Sequence, residues 1–390
     1  MISVSDALDH LFALVRVLPA EHVPLRVAAG RVLAETVRAT RTQPPFAASA
    51  MDGYAINRAG LRTGATYRII GEAAAGHRFA GNVGNAEAVR IFTGAPVPDG
   101  ADCIVIQEDV DREGDTITLR DNRDSKSHIR AAGQDFQVGD PIEAPCILNP
   151  SDVALLAAMN VPRVPVARKP SVAIIPTGDE LVQPGETPGP DQIIASNSYG
   201  LAALLEANGA NPRLLPIARD TTASLALAFN LAKDADLIIT IGGASVGDHD
   251  LVGEAAAQGG MQQAFYKVAM RPGKPLMAGR IGSAMMVGLP GNPVSAMVCG
   301  HVFVVPVIRA MLGLPAQPAQ RKSVTLVHDI DANGPREHYM RGHVTAEGLT
   351  IFERQDSALL RVLANANCLA IRPAHDGPRM QGDMLDIIMI

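Results

Sequence analysis

The string Thr240-Ile241-Gly242-Gly243-Ala244-Ser245-Val246-Gly247-Asp248-His249-Asp250 follows directly on an apolar run. Glycines there let the backbone come close to a ligand and turn its N–H groups toward an anion. Ser245 adds a hydroxyl donor. Asp248 and Asp250 set two carboxylates beside that cradle. They would repel a phosphate unless a cation lay between, which points to Mg²⁺. The plainer reading is a glycine-rich strand-to-helix turn with a capping aspartate.

Gly288-Leu289-Pro290-Gly291-Asn292-Pro293-Val294-Ser295 follows a second apolar run and opens a predicted helix. Pro293 suits the first helical position and Asn292 the cap. Ser295 falls in the first turn, where free N–H groups and the helix dipole favour an anion. Alone this motif is a capped helix; two anion-ready turns after neighbouring strands point to a site. Between them, Met270-Arg271-Pro272-Gly273-Lys274-Pro275 places two cations on a proline-stiffened loop. Arg supplies a fork for oxyanions and Lys a compact charge; the alternative is a solvated loop. Pro176-Thr177-Gly178-Asp179-Glu180-Leu181 and Arg219-Asp220 follow two further strand-like runs and should face the same crevice. Each of these acids could cap a helix, or with Asp250 they could ring a metal, and the spacing leaves both open.

Such turns need a sheet behind them. Ser171–Ile175, Asn211–Ile217 and Asp236–Ile241 read as strands, alternating with helical stretches at Asn197–Ala207 and Thr222–Ala232, and a helix over Val294–Met311 closes the set. Apolar strands alternating with helices predict a doubly wound α/β domain over 169–314, whose ligands sit beyond the C-terminal strand ends. Upstream, Ser5 and Asp6 predict a helix cap before Ala7, with Leu8, Leu11, Phe12 and Val15 at helical spacing, and Val27 to about Thr36 reads as a second helix. Short β-rich runs separated by Gly, Asn and Asp predict an inserted β-rich domain over 57–140, so that 1–56 and 141–168 form one discontinuous helical and linker domain. Helical periodicity returns near Ser151. The last stretch, 318–390, reads as a small β-barrel.

The chain has 390 residues, 47% hydrophobic and 19% charged, with a net charge of −6. A chain of this length holds several domains. Its acidic balance argues against a nucleic-acid partner. The four cysteines form no CxxC, so neither a zinc site nor a disulfide framework is expected, and each is read as a small buried hydrophobe. The N-terminus lacks the basic start of a signal peptide. Apolar runs such as Val302–Ile308 fall far short of the roughly 18–20 residues that span a bilayer. A soluble, cytoplasmic protein without membrane contacts is the expectation. His128 and His249 are read as surface residues.

TGGASVGDHD, MRPGKP and GLPGNPVS, in this order, resemble the molybdopterin-binding domain shared by molybdopterin adenylyltransferases and molybdenumtransferases. Pro45-Phe46-Ala47-Ala48-Ser49-Ala50-Met51-Asp52-Gly53-Tyr54-Ala55 separates the two. It resembles the N-terminal signature of the MoeA/gephyrin E-domain family, as do Ile91–Pro98, Gly100-Ala101-Asp102 and Arg130–Asp135. The C-terminal stretches 336–342 and 355–368 fit more loosely, and the likeness covers nearly all 390 residues.

The resemblance implies an enzyme that takes molybdate and adenylylated molybdopterin as substrates and, in a Mg²⁺-dependent step, yields molybdenum cofactor and AMP. It implies that Gly242, Gly243, Ser245, Gly247, Pro275, Gly291, Asn292, Pro293 and Ser295 hold the pterin phosphate and nearby anions. Asp220 and Asp250 would be the acids at the scissile phosphoanhydride, through a metal or water, with Glu180 lining the cleft. Arg271 and Lys274 would face molybdate or the transferred phosphate, and Arg341 and Ser357 would reach in from the C-terminal unit. Asp52, Thr93 and Asp135 match positions the family supplies from the other subunit of a homodimer with shared active sites. Contacts with a molybdopterin adenylyltransferase and with apo-molybdoenzymes follow from the same likeness. Arg271 stands where Lys is frequent, and Asp356 and Ala358 stand where Gly is expected. An adenylyltransferase would need neither the first roughly 165 residues nor the C-terminal β-unit. A non-enzymatic scaffold would need a fused partner domain. A tungstate-handling paralogue would share the same charges.

Overall fold

The computed structural model describes residues 1–121, 123–243 and 251–390. The chain divides into two compact units, one comprising 1–21, 30–34 and 166–390, the other 22–29 and 35–165.

In the larger unit, the sheet runs in the order Asn211–Leu214, Ser171–Pro176, Leu237–Ile241, Ala284–Leu289, Met277–Ile281, Gln262–Tyr266. The first four strands are parallel; Met277–Ile281 runs against them, and Gln262–Tyr266 pairs antiparallel with Met277–Ile281 in turn. Alternate residues sort its two faces. Val172, Ile174, Leu237, Ile239, Met285 and Val287 pack against Leu201, Leu205 and the helix Pro293–Met311. Ala173, Ile175, Ile238 and Met286 pack against Leu225, Phe229, Val252 and Ala256. Apolar residues at every position are what a sheet buried on both faces requires. The helix Pro293–Met311 is long and apolar enough to cross a membrane, but it is mostly buried in this core, which accounts for its composition.

The first helix, Val4–Leu14, starts three residues before the predicted Ala7. Ser3 Oγ accepts from the Asp6 N–H and the Asp6 carboxylate accepts from the Ser3 N–H, a reciprocal cap that leaves Ser5 inside the first turn. No helix forms over 27–36. A single 3₁₀ turn at Leu25–Val27 is followed by short strands at Val32–Leu33 and Val37–Arg38. Gly30 between them sits at φ +77°, which ends any right-handed helix there.

The C-terminal strands Arg321–Thr325, Met384–Met389, Cys368–Arg372, Glu337–Thr345 and Gly348–Ile351 are joined edge to edge. The Leu326–Leu349 bridge returns the last to the first, closing a small barrel around Leu349, Ile351, Cys368, Leu385 and Ile387. Met270–Arg271 adds to this barrel as a parallel strand beside Glu337–His338.

The smaller unit holds a six-stranded mixed sheet in the order Cys103–Ile106, Gly53–Ile56, Glu87–Ile91, Thr66–Ala73, Thr116–Leu119, Val110–Glu113. Its second strand comes from the MDGYA string, before residue 57. A Cβ on Gly53 would lie 2.0 Å from the Val105 carbonyl oxygen, so only glycine fits there. Asn149 and Asp152 cap the helix Pro150–Ala158 reciprocally. All four cysteines are free. Cys103, Cys299 and Cys368 are buried, and Cys146 is only partly so. His128 is not a surface residue: it is partly buried, with Nε2 3.2 Å from the Asp124 carboxylate.

Candidate functional site

The strand order reverses between Ser171–Pro176 and Leu237–Ile241, since the next strand in sequence, Asn211–Leu214, lies on the other side. Ligands of such sheets bind in the crevice beyond that point. A cavity of about 600 Å³ lies there, lined by Thr177, Glu180, Gly242, Gly243, Pro275, Gly291, Asn292, Pro293 and Ala358.

The glycines are dictated by close approach. Gly242 sits at φ +100° with the Thr177 carbonyl oxygen 2.6 Å from a would-be Cβ; Gly243 sits at φ +66° with Val252 Cγ2 at 2.3 Å. The Gly242 N–H donates to the Leu289 carbonyl and so is spent on the sheet. Gly243 N–H has no partner among the described residues. Ser245, Gly247, Asp248, His249 and Asp250 lie outside the described residues.

Asn292 occupies the cap position of the helix at Pro293, but its side chain makes no cap bond. Its amide is therefore available to the cavity it lines. Ser295 is buried in the first turn. Asn197 Nδ2 donates to the Gly291 carbonyl and fixes that turn. The Val294 N–H donates to the Ser357 carbonyl at 3.1 Å, which brings the C-terminal unit onto the helix start.

From that unit comes Arg341, fully buried. Its Nη2 donates to the Asp356 carbonyl at 3.0 Å, while Nε and Nη1 have no partner among the described residues. Gln355 clamps the backbone of Arg341, accepting from its N–H and donating to its carbonyl. Burial pushes the guanidinium down to about 10, with the Arg271 charge adding to the effect and Asp356 opposing it. Buried donors without acceptors are rare because each costs about 1–3 kcal/mol, so two on one fixed cation mark a place for an anion.

The basic loop divides its cations. Arg271 is exposed and lines a different pocket, together with His338 and Arg372. Lys274 makes no ion pair among the described residues, and its neighbour Pro275 lines the crevice. The loop is pinned by Val268 and Leu276 N–H groups on the Lys274 carbonyl, and Gly273 packs so tightly that a Cβ would meet Cys299 Sγ at 2.5 Å.

The acids sort by partner. Thr221, not Asp220, caps the helix Thr222–Leu231. Asp220 is exposed, and its N–H donates to Asp179 Oδ1 at 3.2 Å, while its own carboxylate accepts nothing from the described residues. Glu180 lines the crevice. Among the described residues no group of three potential metal ligands exists. One or two carboxylates fit a Mg²⁺ whose remaining ligands are phosphate and water oxygens.

In the smaller unit, Asp52 Oδ1 accepts from both the N–H and the hydroxyl of Thr93, each at 2.8 Å. These bonds, the backbone one foremost, hold its carboxyl below the usual range. Arg90 lies over the rings of Tyr54 and Phe92 and donates to Gln107 Oε1. Asp135 is exposed on a turn tied by its N–H to the Gln43 carbonyl, with no bond to Asp52. Sequence reasoning missed Asn197, Gln355 and His338. Asn197 bonds Gly291 and His338 sits in register with Arg271 and Arg372 far off in the chain, while Gln355 reaches back to Arg341 across a loop, so no local pattern signalled them.

Three family models match in succession: the MoeA N-terminal region (domains I and II) at residues 2–160, the probable molybdopterin-binding domain at 173–310, and the MoeA C-terminal region (domain IV) at 323–390. A molybdopterin molybdenumtransferase of Nostoc sp. is 36% identical, over 96% of this chain and 90% of its own length. That of Haemophilus influenzae is 33% identical, over 94% of this chain and 93% of its own. Among solved structures, a molybdopterin biosynthesis MoeA protein from Pyrococcus horikoshii OT3 superposes with a TM-score of 0.86 at 27% identity, covering all of both chains.

Proposed function

The chain belongs to the molybdopterin molybdenumtransferase family, and from that premise we propose that it transfers molybdenum from molybdate to adenylylated molybdopterin, releasing AMP. The observation that carries this reading is Arg341: a fully buried guanidinium whose Nε and Nη1 find no partner among the described residues, in the segment that bonds the crevice helix through Ser357. Molybdate is a dianion that must meet a phosphorylated dithiolate at close range. Fixed cations and N–H groups offset that repulsion without reorganising during the reaction.

In this reading Gly243, Asn292 and Ser295, with Gly242, Gly291 and Pro293 shaping the floor, hold the terminal phosphate of the pterin. Arg341, Lys274 and Ser357 hold molybdate, and Pro275 walls the space between. Asp220 faces the phosphoanhydride and Glu180 borders it, and the family likeness assigns Asp250 and Gly247 to the same group. Water adds to phosphorus, the phosphoanhydride P–O bond breaks, and AMP leaves with the added oxygen. Mg²⁺ held by Asp220 and Asp250 would neutralise phosphate charge there. Asp52, Thr93 and Asp135 would complete the site from the other subunit of a homodimer. Free cysteines suit a reducing cytoplasm. A molybdopterin adenylyltransferase as donor and apo-molybdoenzymes as acceptors fit the two ends of the reaction.

The test is incubation with adenylylated molybdopterin, Mg²⁺ and molybdate, following AMP and the reconstitution of an apo-molybdoenzyme. Molybdate-dependent AMP release with active cofactor is expected, and Asp250→Asn should bind the nucleotide without cleaving it. Tight binding of the adenylylated pterin with no AMP release would overturn the enzymatic reading.

A further inference from the structure

The strand Glu337–Thr345 has two faces. Tyr339 packs in the α/β core, and Arg341, two residues on, shares its face of the strand. His338 and Met340 line a separate pocket of about 990 Å³ on the other side. His338 is paired in register with Arg271 on one flank and Arg372 on the other, so three adjacent strands present Arg, His and Arg side by side on one face.

His338 is only 5% exposed, and its Nε2 has no hydrogen-bond partner among the described residues. Burial lowers its pKa to about 3, and the charges of Arg271, Arg341, Arg372 and Arg336 push the same way. The ring is therefore neutral at physiological pH and able to offer an N–H at Nε2. Among the described residues no carboxylate is among the charges acting on it. Arg372 commits its Nε to Asp376 and its Nη2 to the Gly377 carbonyl, which leaves Nη1 without a partner among the described residues, and the Arg271 side chain has none there either. A water would satisfy the imidazole, but only an anion would also draw the exposed Arg271 guanidinium to the buried ring. A cation would be repelled by every charge that reaches the ring.

We propose that this pocket binds one small tetrahedral oxyanion between His338, Arg271 and Arg372, at a site distinct from Arg341 and on the opposite face of the strand. Asp329, Asp331 and Glu353 line the same pocket, so its positive field is confined to the His338 end and excludes larger polyanions. Arg271 also acts on Arg341, so an anion held here would lower the charge repulsion at the site behind the strand. The identity of the anion as molybdate rests on the function proposed above; its geometry and charge do not.

The experiment is a titration of the full chain with tungstate, by calorimetry for stoichiometry and by anomalous scattering for position. Two tungstates per chain are expected, one at Arg341 and one at His338. His338→Leu should leave only the first. His338→Gln keeps an amide donor and should retain the second, weakened by about tenfold at most. Displacement by sulfate or phosphate at the His338 position alone would support the pocket and make the lighter anion its usual occupant. A single tungstate at Arg341, or two in His338→Leu, overturns the inference and leaves the molybdate reading standing. None at either position overturns both.

Discussion

Replacing Arg341 by Met should make the ligand-free protein more stable and the enzyme inactive. The guanidinium is fully buried, and burial moves it from an ordinary value near 12.5 to about 10. At about 1.4 kcal/mol per tenfold change in proton affinity, that is about 3 kcal/mol against the charged form in the fold. The group's folded value lies below its unfolded one, so the penalty is fully present below pH 10 and relieved only above it. Met fills a similar volume without charge, and exchanges of this kind stabilise by about 1–4 kcal/mol where the charge was uncompensated. The lost bond to the Asp356 carbonyl offsets about 1 kcal/mol of that. A net gain of about 2 kcal/mol is expected in denaturant unfolding without oxyanion. Saturating tungstate should raise the wild-type stability and leave Arg341→Met unmoved, while molybdate-dependent AMP release falls by about 10²–10³. A variant destabilised without oxyanion, or still stabilised by tungstate to the wild-type extent, would refute the reasoning.

Gly243→Ala puts a Cβ 2.3 Å from Val252 Cγ2 at φ +66° and should lose at least about 2 kcal/mol, read by urea unfolding. Asp376→Ala strands Arg372, whose side chain is 2% exposed, and should cost about 3–5 kcal/mol in the same assay. The Asp52 carboxyl is depressed by Thr93, so the contribution of that contact is complete above the ordinary value of 3.8 and is lost as pH falls through the lower folded value; Thr93→Ala should move the Asp52 midpoint, followed by carbon NMR, back up toward 3.8. Mixing Asp52→Ala with Arg341→Met subunits, each inactive alone, should restore part of the AMP release if the two residues serve one site from different chains; no recovery in proven heterodimers would remove Asp52 from the shared site.

The crevice was legible where local chemistry dictates geometry. Gly242 and Gly243 adopt positive φ values, and no other residue type suits that bend. The alternating apolar strands announced a sheet buried on both sides because every residue from Leu237 to Ile241 is buried. Helix boundaries were less legible. Ser3, Ser5 and Asp6 are all competent caps, and only the reciprocal bonding of Ser3 with Asp6 selects one. Apolar residues around Gly30 mimic a helical period that the glycine's conformation forbids. The least legible features were the long-range ones. Ser357 meets Val294 and His338 meets Arg271 across more than sixty residues, and no local pattern encodes such pairings.

Because Met270–Arg271 is stitched onto the C-terminal barrel as one of its strands, the barrel is not an interchangeable module. A chimaera that takes residues 318–390 from a relative would break the register of Arg271 with His338 unless residues 268–272 travel with it. Modular exchange in this architecture should follow the hydrogen-bonded ladder and not the linker at Leu314–Pro318 that divides the chain in sequence.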